Sequence, residues 1–587
     1  MTEDKQTTFE FESRPTIKGF PELHWTGKRP YRSTQYFPAQ IKERHGSEVN
    51  GWINKIFWGD NLQVMSHLLK EYRGKVDLIY IDPPFDSKAD YKKEISLKGK
   101  KVQSDSSSFE EKQYSDIWTN DEYLQFMYER LILLRELLSD AGSLFLHCDW
   151  HKSHQLRCLM DEVFGPQNFV NEIVWCYYGP GSPGMRQFNR KHDTIYWYSK
   201  VNNVWKFNAE SIRIPHDEKT TENFKDGLKG SGFIAGEYNL ADGKIPEDWW
   251  ELAIAGRYPN DGIKRVKYPT EKPYKLLERI ITATTDVGDI VADFFMGSGV
   301  TQMCAMKLGR RFLGADINLS SIQTTTKRLL KVANELKPNQ KTLDVEDGED
   351  IKYTGFEVYN VNNYDIFRNP EEARELLLEA YQVQKFASSS VYDGELDGWM
   401  VKILPADDIN RIATKADLEG FVANLPYKTF EMRKADSPNA PVERIRFICM
   451  GHEPDLAAAF KAKVPNYKID VEVVDVMRDR KELHFKHDSD AKIVRDGDNL
   501  VIEEFYPLNL MQKLSWMEDD VTDWRQLVES VMIDWNYDGA VMEPKVTDIP
   551  EKADLVKGVY PIPEDFGVIK IKITDLLSES YEEELRW

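Results

Sequence analysis

The chain has 587 residues, enough for about three to five domains at roughly 100–200 residues each. Its 15 Trp, 27 Tyr and 28 Phe within a 41% hydrophobic composition exclude wholesale disorder. The absence of any run of about 18 apolar residues argues against a membrane span. Net charge is −21, which argues against a polyanionic partner, but the charge is uneven. Residues 1–350 carry 48 Lys and Arg against 51 Asp and Glu, whereas residues 351–587 carry 29 against 47. Any surface that meets a polyanion is therefore expected in the first 350 residues. The N-terminus has no apolar segment of the secretory kind. The five cysteines include no Cys-x-x-Cys pair, so reduced thiols in a cytoplasm are expected.

In chain order, residues 1–50 read as an arm with little regular structure, broken by Pro15, Pro21, Pro30 and Pro38. Residues 53–58 and 76–81 are short apolar runs of strand type, and 61–70 between them has helical spacing at Leu62, Met65, Leu68 and Leu69. A long helix over 121–138 and a buried strand over 143–148 follow. Strands without polar alternation, separated by helices, predict a parallel sheet covered on both faces. Residues 169–265 differ. They hold aromatic strand-like runs at 173–178, 194–198 and 204–207, with glycine and proline punctuation at 179–184, and read as an insertion. The α/β pattern then resumes with a helix at 274–283, a strand at 289–295, a glycine turn, a helix at 300–308 and a strand at 311–316. The acidic run 344–350 reads as part of a linker over 341–354, with a solvated loop as the equal alternative. Residues 355–587 read as a further α/β or α+β region, taken as a C-terminal α/β domain, with a helix at 371–381 and strands at 444–449, 469–476 and 568–573.

Two turns carry chemistry. The first is Asp293-Phe294-Phe295-Met296-Gly297-Ser298-Gly299, between a strand and a helix. Its glycines permit close backbone approach to a ligand at a helix N-terminus. Asp316, at the end of the next strand, stands where an acidic residue grips a ribose hydroxyl in nucleotide-type sites. No Gly-Lys-Ser/Thr follows, so a phosphate loop is excluded. A ligand with a ribose and no required phosphate fits, S-adenosylmethionine among them.

The second is Asp82-Pro83-Pro84-Phe85, directly after the strand 76–81. Two prolines stop the strand and remove two donors. They leave a carboxylate, a free carbonyl and an aromatic ring at a strand's C-terminal end, where open α/β sheets bind ligands. An exocyclic amino group on a base is a poor nucleophile because its lone pair is delocalised into the ring. The Asp82 carboxylate and the Pro83 carbonyl can each accept one of its N–H bonds and free that lone pair. Phe85 can stack on the base, which in a duplex has to be flipped out.

Together these motifs resemble the amino-methylating DNA methyltransferases, whose catalytic motif is (D/N/S)PP(Y/F/W) and whose cofactor motif is FxGxG, here Phe295 to Gly299. Further stretches look like the same family. Trp58-Gly59-Asp60-Asn61 is similar to the segment whose Asp contacts the cofactor adenine. Thr270-Glu271-Lys272-Pro273 is similar to the TxKP motif near the methionine end of the cofactor. The resemblance covers roughly residues 20–335. The catalytic motif precedes the glycine motif, as in the β group, which includes the modification subunits of type III restriction–modification systems. That order weighs against ribosomal RNA guanine-N2 methyltransferases. Asp at 82 rather than Ser favours adenine N6 over cytosine N4. Phe85 replaces the usual Tyr.

The resemblance implies a Rossmann-like, S-adenosylmethionine-dependent methyltransferase with circularly permuted motif order and a doubly wound, mostly parallel sheet. Its catalytic half would span 51–168, its target-recognition insertion 169–265 and its cofactor half 266–340. The implied reaction is methylation of adenine N6 at a specific site in double-stranded DNA, within a restriction–modification or related defence system. Asp82, Pro83, Pro84 and Phe85 are the implied catalytic residues. Asp60, Thr270, Lys272, Asp293, Phe295, Gly297, Ser298, Gly299 and Asp316 are the implied cofactor residues. A cytosine-N4 DNA enzyme, an RNA enzyme and a non-catalytic recognition subunit are the alternatives.

DNA contacts are expected at Lys92 and Lys93, within a run of six lysines over 88–101, at Arg190 and Lys191 in the insertion, and at Arg257, Lys264, Arg265 and Lys267. A solvated loop is the equal alternative for the lysine run. The insertion's aromatic residues are expected mainly in a core. His147, Cys148, Asp149, His151 and His154 invite a metal, but methyl transfer needs none. They are expected to shape the rim of the site, and no metal is assigned. For the acidic C-terminal region, position and charge suggest a homodimer or docking of a restriction helicase–nuclease subunit. A stabilising domain without a partner is the alternative.

Overall fold

A computed structural model describes residues 8–12, 19, 21–37, 39–84, 94–97, 100–103, 120–178, 186–216, 242–253, 271–336, 352–361, 374, 378, 381, 383–386, 391–396, 398–404, 413–438, 440–449, 456–475, 489–507, 510–511, 523–550, 554–576 and 579–587. Two compact units result, one formed by 1–363 with 491–587 and the other by 364–490.

The first unit is built on a ten-stranded sheet. Its elements are β1 (Ala39–His45), β2 (Asn54–Trp58), α1 (Asn61–Tyr72), β3 (Val76–Ile81), α2 (Asn120–Leu137), β4 (Leu138–Cys148), α3 (Ser153–Phe164), β5 (Phe169–Cys176), β6 (His192–Ser199) and β7 (Trp249–Glu251). They continue with α4 (Tyr274–Thr284), β8 (Ile290–Asp293), α5 (Val300–Lys307), β9 (Arg311–Asp316), α6 (Leu319–Leu336) and β10 (Phe356–Val361). The spatial order is β7-β5-β6-β4-β3-β8-β9-β2-β10-β1. The six strands from β4 to β10 are mutually parallel. One face is covered by α1, α2 and α3, the other by α4, α5 and α6. Burial on both faces explains why β3 reads Val-Asp-Leu-Ile-Tyr-Ile and β8 Ile-Val-Ala-Asp, with little polar alternation. The α4 stripe Leu276, Leu277, Ile280 and Ile281 is fully buried, each side chain contributing about 1.5–3 kcal/mol.

The chain leaves β3 toward β4 on one side and β8 toward β9 on the other, so the sheet changes winding direction between β3 and β8. Those strands are neighbours, with Leu78 opposite Val291 and Ile79 opposite Ala292. The segments that follow them, Asp82 to Pro84 and Phe294 to Gly299, therefore leave one edge side by side. In open α/β sheets such a switch point holds the ligand crevice.

Four expected boundaries are corrected. The N-terminal arm supplies β1, an edge strand of the main sheet antiparallel to β10. Its 21–37 stretch is tied to the helices by Lys28 on Glu162 at 2.8 Å and Arg29 on Glu129 at 3.3 Å. The expected insertion does not begin at 169, because β5 and β6 extend the core sheet as an antiparallel pair beside β4. Residues 204–207 form no strand. The Asn208 amide, immediately after them, is bonded to carbonyls of Thr282 and Thr285 at the end of α4. The expected C-terminal domain 355–587 is not one body, since β10 lies inside the central sheet between β2 and β1.

Residues 364–490 carry a five-stranded sheet whose strands Trp399–Ile403, Glu443–Cys449 and Ile469–Asp475 are parallel, with helices Asp417–Ala423, Tyr427–Asp436 and Leu456–Lys463. Most of the expected helix 371–381 lies outside the described residues. Residues 490–587 are not α/β as expected. They form a three-stranded and a four-stranded sheet around one apolar core. This β module is attached to the main sheet through backbone bonds, Arg44 N–H to the Met542 carbonyl and Met542 N–H to the Lys42 carbonyl, both 2.9 Å. The buried Lys572 ammonium donates to Glu43, and the Gln323 amide on α6 donates to Ser580 at 2.6 Å. No described helix is long and apolar enough to cross a membrane.

Burial by itself would raise the Glu43 carboxyl, but Lys572 and His45 outweigh it and hold it well below the usual range. Leaving one partner buried alone typically costs about 3–5 kcal/mol. The Lys572→Met variant is therefore expected to unfold at lower denaturant, with a loss of that size at neutral pH. Because the folded carboxyl is depressed, the pair's contribution is complete above the ordinary value of 4.5. It is lost as pH falls below that value toward the folded one. Denaturation of both proteins across pH 3–7 should show the difference shrinking on the acid side.

Candidate active site

Asp82 leaves β3 after Ile81, where Pro83 ends hydrogen bonding to the neighbouring strands. Its Oδ2 accepts from the Lys272 ammonium, which is carried by the segment leading into α4. Its Oδ1 is buried and has no partner among the described residues. A carboxylate oxygen in that condition is costly unless a ligand meets it. Pro83 is buried and Pro84 half-buried, so the turn is a fixed feature of the edge. Phe85 lies outside the described residues.

The neighbouring loop is shaped by its glycines. Gly297 and Gly299 have φ of 48° and 71°, in the left-handed region that other residues enter only at a cost. A Cβ on Gly299 would lie 2.5 Å from the Thr325 side chain. Gly299 caps α5, so the helix's first free N–H groups face the same edge. Asp316 closes the loop from below. Its Oδ2 accepts from Gly297 N–H and its Oδ1 from Asn318 N–H, each at 2.8 Å. The expected ribose acceptor is thus already a loop organiser. Phe295 packs edge-on to Phe126 of α2.

Asp293 is buried beneath the loop. It accepts from Thr301 Oγ1 at 2.6 Å and from Phe295 N–H at 3.0 Å. Burial dominates its titration, and with Asp82 and Asp316 nearby its pKa rises to about 7. It shapes the loop from below, beneath the surface a cofactor would touch. Asp60 caps α1, accepting from Leu62 N–H at 2.9 Å, and receives the buried Arg130 guanidinium at 2.8 Å. Arg130 also holds Asn61, whose amide donates to the Phe294 carbonyl at 3.1 Å. The α1 start and the glycine loop are therefore one bonded unit.

Sequence reading missed the residue that joins the two halves. Arg328 of α6 donates to the Ser298 carbonyl at 2.8 Å and also to Glu271. Glu271 adjoins Lys272, which holds Asp82. A continuous chain of contacts thus runs from the glycine loop to the Asp82 turn. The signals were Glu271 inside Thr270-Glu271-Lys272-Pro273 and an arginine on the buried side of an amphipathic helix. Arg130 gave a similar signal on α2. Thr270, Lys92, Lys93, Arg257, Lys264, Arg265 and Lys267 lie outside the described residues. The lysine run does contain a ribbon, in which Glu94–Leu97 pairs with Lys100–Gln103.

The histidine cluster does not converge. His147 is fully buried, with its Nδ1 2.7 Å from the Tyr80 hydroxyl and its Nε2 3.2 Å from Asp193. His151 sits on Asp149 at 2.6 Å at the surface. Among the described residues no group of His, Cys, Asp and Glu has the makings of a metal site. Burial would raise the Asp193 carboxyl, but His147, Lys272 and Tyr177 keep it below its ordinary value. Of the insertion's aromatic residues, Trp175, Tyr196, Trp197 and Tyr198 are buried, whereas Tyr178 is exposed.

A buried carboxylate oxygen without a partner among the described residues, near a glycine-lined helix start, is an arrangement that can activate an amino group next to a nucleoside-bearing donor. Residues 76–327 match the DNA methylase family of the N6/N4 type, and this part of the chain is a domain of that family. The type II methyltransferase M.EcaI of Enterobacter cloacae is 28% identical over 329 residues, covering 47% of this chain and 69% of its own. The StyLTI Mod subunit of a type III restriction–modification enzyme from Salmonella typhimurium is 27% identical over 43% of this chain and 50% of its own length. This chain thus spans about half of that second relative. The solved M1.HpyAVI–SAM complex is 21% identical over 47% of this chain and 98% of its own, at a TM-score of 0.30.

The methyl donor of this family is S-adenosylmethionine. The residues here fit it: Gly297 and Gly299, both in the left-handed region, let the backbone pass close to a ligand at the start of α5, and Asp316 stands at the same loop.

Two expectations test this geometry. Gly299→Ala incurs about 1–2 kcal/mol of backbone strain in addition to the overlap with Thr325. Calorimetric titration should show affinity for S-adenosylmethionine falling by at least about tenfold, while Gly420→Ala, whose added methyl meets open space, leaves it unchanged. The raised Asp293 pKa disfavours the folded state as pH rises from the ordinary 3.8 to about 7. The stability advantage of Asp293→Asn over the parent should grow through that interval and level off above it in pH-dependent denaturation.

Proposed function

We propose that the chain is a site-specific DNA methyltransferase that modifies adenine N6 in duplex DNA after flipping the base into the Asp82 pocket. The observation that carries this reading is the divided Asp82 carboxylate. Lys272 fixes Oδ2, and Oδ1 is left buried near the glycine loop, unpartnered among the described residues. Oδ1 and the Pro83 carbonyl each accept one N–H of the amino group, which localises its lone pair. S-adenosylmethionine, when bound, supplies an electrophilic methyl on a sulfonium. The N–C bond forms as the C–S bond breaks, and one N–H proton leaves the nitrogen toward Asp82 Oδ1. Positioning and electrostatics supply the acceleration, with no covalent enzyme intermediate.

Asp60, Lys272, Phe295, Gly297, Ser298, Gly299 and Asp316 line the cofactor side in this reading, with Thr270 joining them by its motif. Asp293 and Arg328 support the loop. Phe85 stacks on the flipped base. Cytosine N4 is the second reading, since the same two acceptors serve either amino group, and Asp at 82 favours adenine. Relatives named as Mod subunits support a restriction helicase–nuclease partner, and the separate 364–490 unit is a place for it or for a second copy. The five cysteines form no disulfide, which suits a reducing cytoplasm.

Modified-base sequencing of genomic DNA from a methylation-free host expressing the protein should find N6-methyladenine at one short motif. The Asp82→Ala variant should abolish it. Methylation that survives in the variant would remove Asp82 from the chemistry, and N4-methylcytosine would replace the adenine assignment.

A further inference from the structure

β4 runs parallel to β3, and β6 runs antiparallel to β4 with Thr194 opposite Cys148. The residues just before β6 therefore lie at the same edge as Asp82. Trp150, two residues beyond β4, is 45% exposed there. The Arg190 guanidinium sits 3.6 Å from the centre of its ring, and the His151 ring lies 3.7 Å from it. The Lys191 carbonyl accepts from Tyr177 N–H at 3.0 Å. The backbone at 190–191 is thus braced at both its side chain and its main chain. Two residues earlier, Phe188 is 98% exposed, the most exposed large hydrophobic side chain among the described residues. Arg186 and Arg190, both exposed, flank it.

A single exposed apolar side chain commonly means nothing. Here it projects from a braced segment, between two cations, at the edge that holds the catalytic carboxylate. An apolar ring with cations on either side complements a base step bordered by phosphates. We infer that Phe188 is a wedge that enters the duplex and occupies the stacking place of the base withdrawn into the Asp82 pocket, with Trp150 and Arg190 as its brace. This inference rests on the proposed methylation of duplex DNA. It assigns Phe188 a share of the unstacking cost of flipping, which a base without a pairing partner hardly incurs.

The test uses the full chain and two duplexes containing the motif found by sequencing. One has the target base normally paired, and the other has it opposite an abasic site. Single-turnover methylation by Phe188→Ala should be at least about tenfold slower on the paired duplex and unimpaired on the abasic one. Phe188→Trp should restore the paired rate. Equal loss on both duplexes, or loss on neither, would overturn the wedge. A parent protein that methylates neither duplex would overturn the methylation reading and the wedge with it, and that outcome is seen before any variant is measured.

Discussion

The contact on which the site depends is the Lys272 ammonium seated on Asp82. The edge between β3 and β8 gathers Asp82, Asp293 and Asp316, with Asp60 at the nearby start of α1. Carboxylates so close repel one another, and burial penalises each charge. The molecule meets the problem in four ways. Asp82 takes Lys272, Asp60 takes the buried Arg130, and Asp316 takes two backbone N–H groups. Asp293 has no cation among the described residues, and its pKa is pushed to about 7 instead. The crevice can therefore accept a cationic sulfonium ligand without collapsing when that ligand is absent.

The same reasoning explains why Arg328 is buried. Its guanidinium binds the Ser298 carbonyl on one side and Glu271 on the other. Burial depresses its pKa, and Glu271 opposes that. The arginine ties a loop that must approach the cofactor to the segment that positions Lys272. Loop and lysine are set by one side chain, so the cofactor cradle and the Asp82 carboxylate share a common support.

Much of this was legible in the sequence because both turns interrupt strongly apolar strands. Asp82 and the glycine loop stand where a two-residue proline stop and a glycine turn place them, and β3 and β9 fall at their expected limits. What was not legible is pairing across the sheet. Nothing local in Phe169–Cys176 or His192–Ser199 distinguishes an insertion from two more core strands, because both are aromatic and partly buried in either case. Phe356–Val361 follows an acidic run, and only its partners β2 and β1 make it part of the core. Arg130 and Arg328 were hidden for the opposite reason. Their spacing fits an amphipathic helix, and a long charged side chain is ordinarily read as solvated.

The strongly acidic total charge also takes its meaning from the fold. The excess lies after residue 350, divided between the separate 364–490 unit and the β module attached to β1 and α6. The binding edge carries its own carboxylates, but cations or backbone donors hold those of Asp60, Asp82 and Asp316. The exposed Arg186 and Arg190 remain beside it, held in place by Trp150 in the case of Arg190. A polyanion approaching this edge meets local cations, while the acidic excess carried after residue 350 disfavours contact there. Attraction confined to one edge favours a single orientation over general adhesion, and orientation is what a reaction on one chosen base requires.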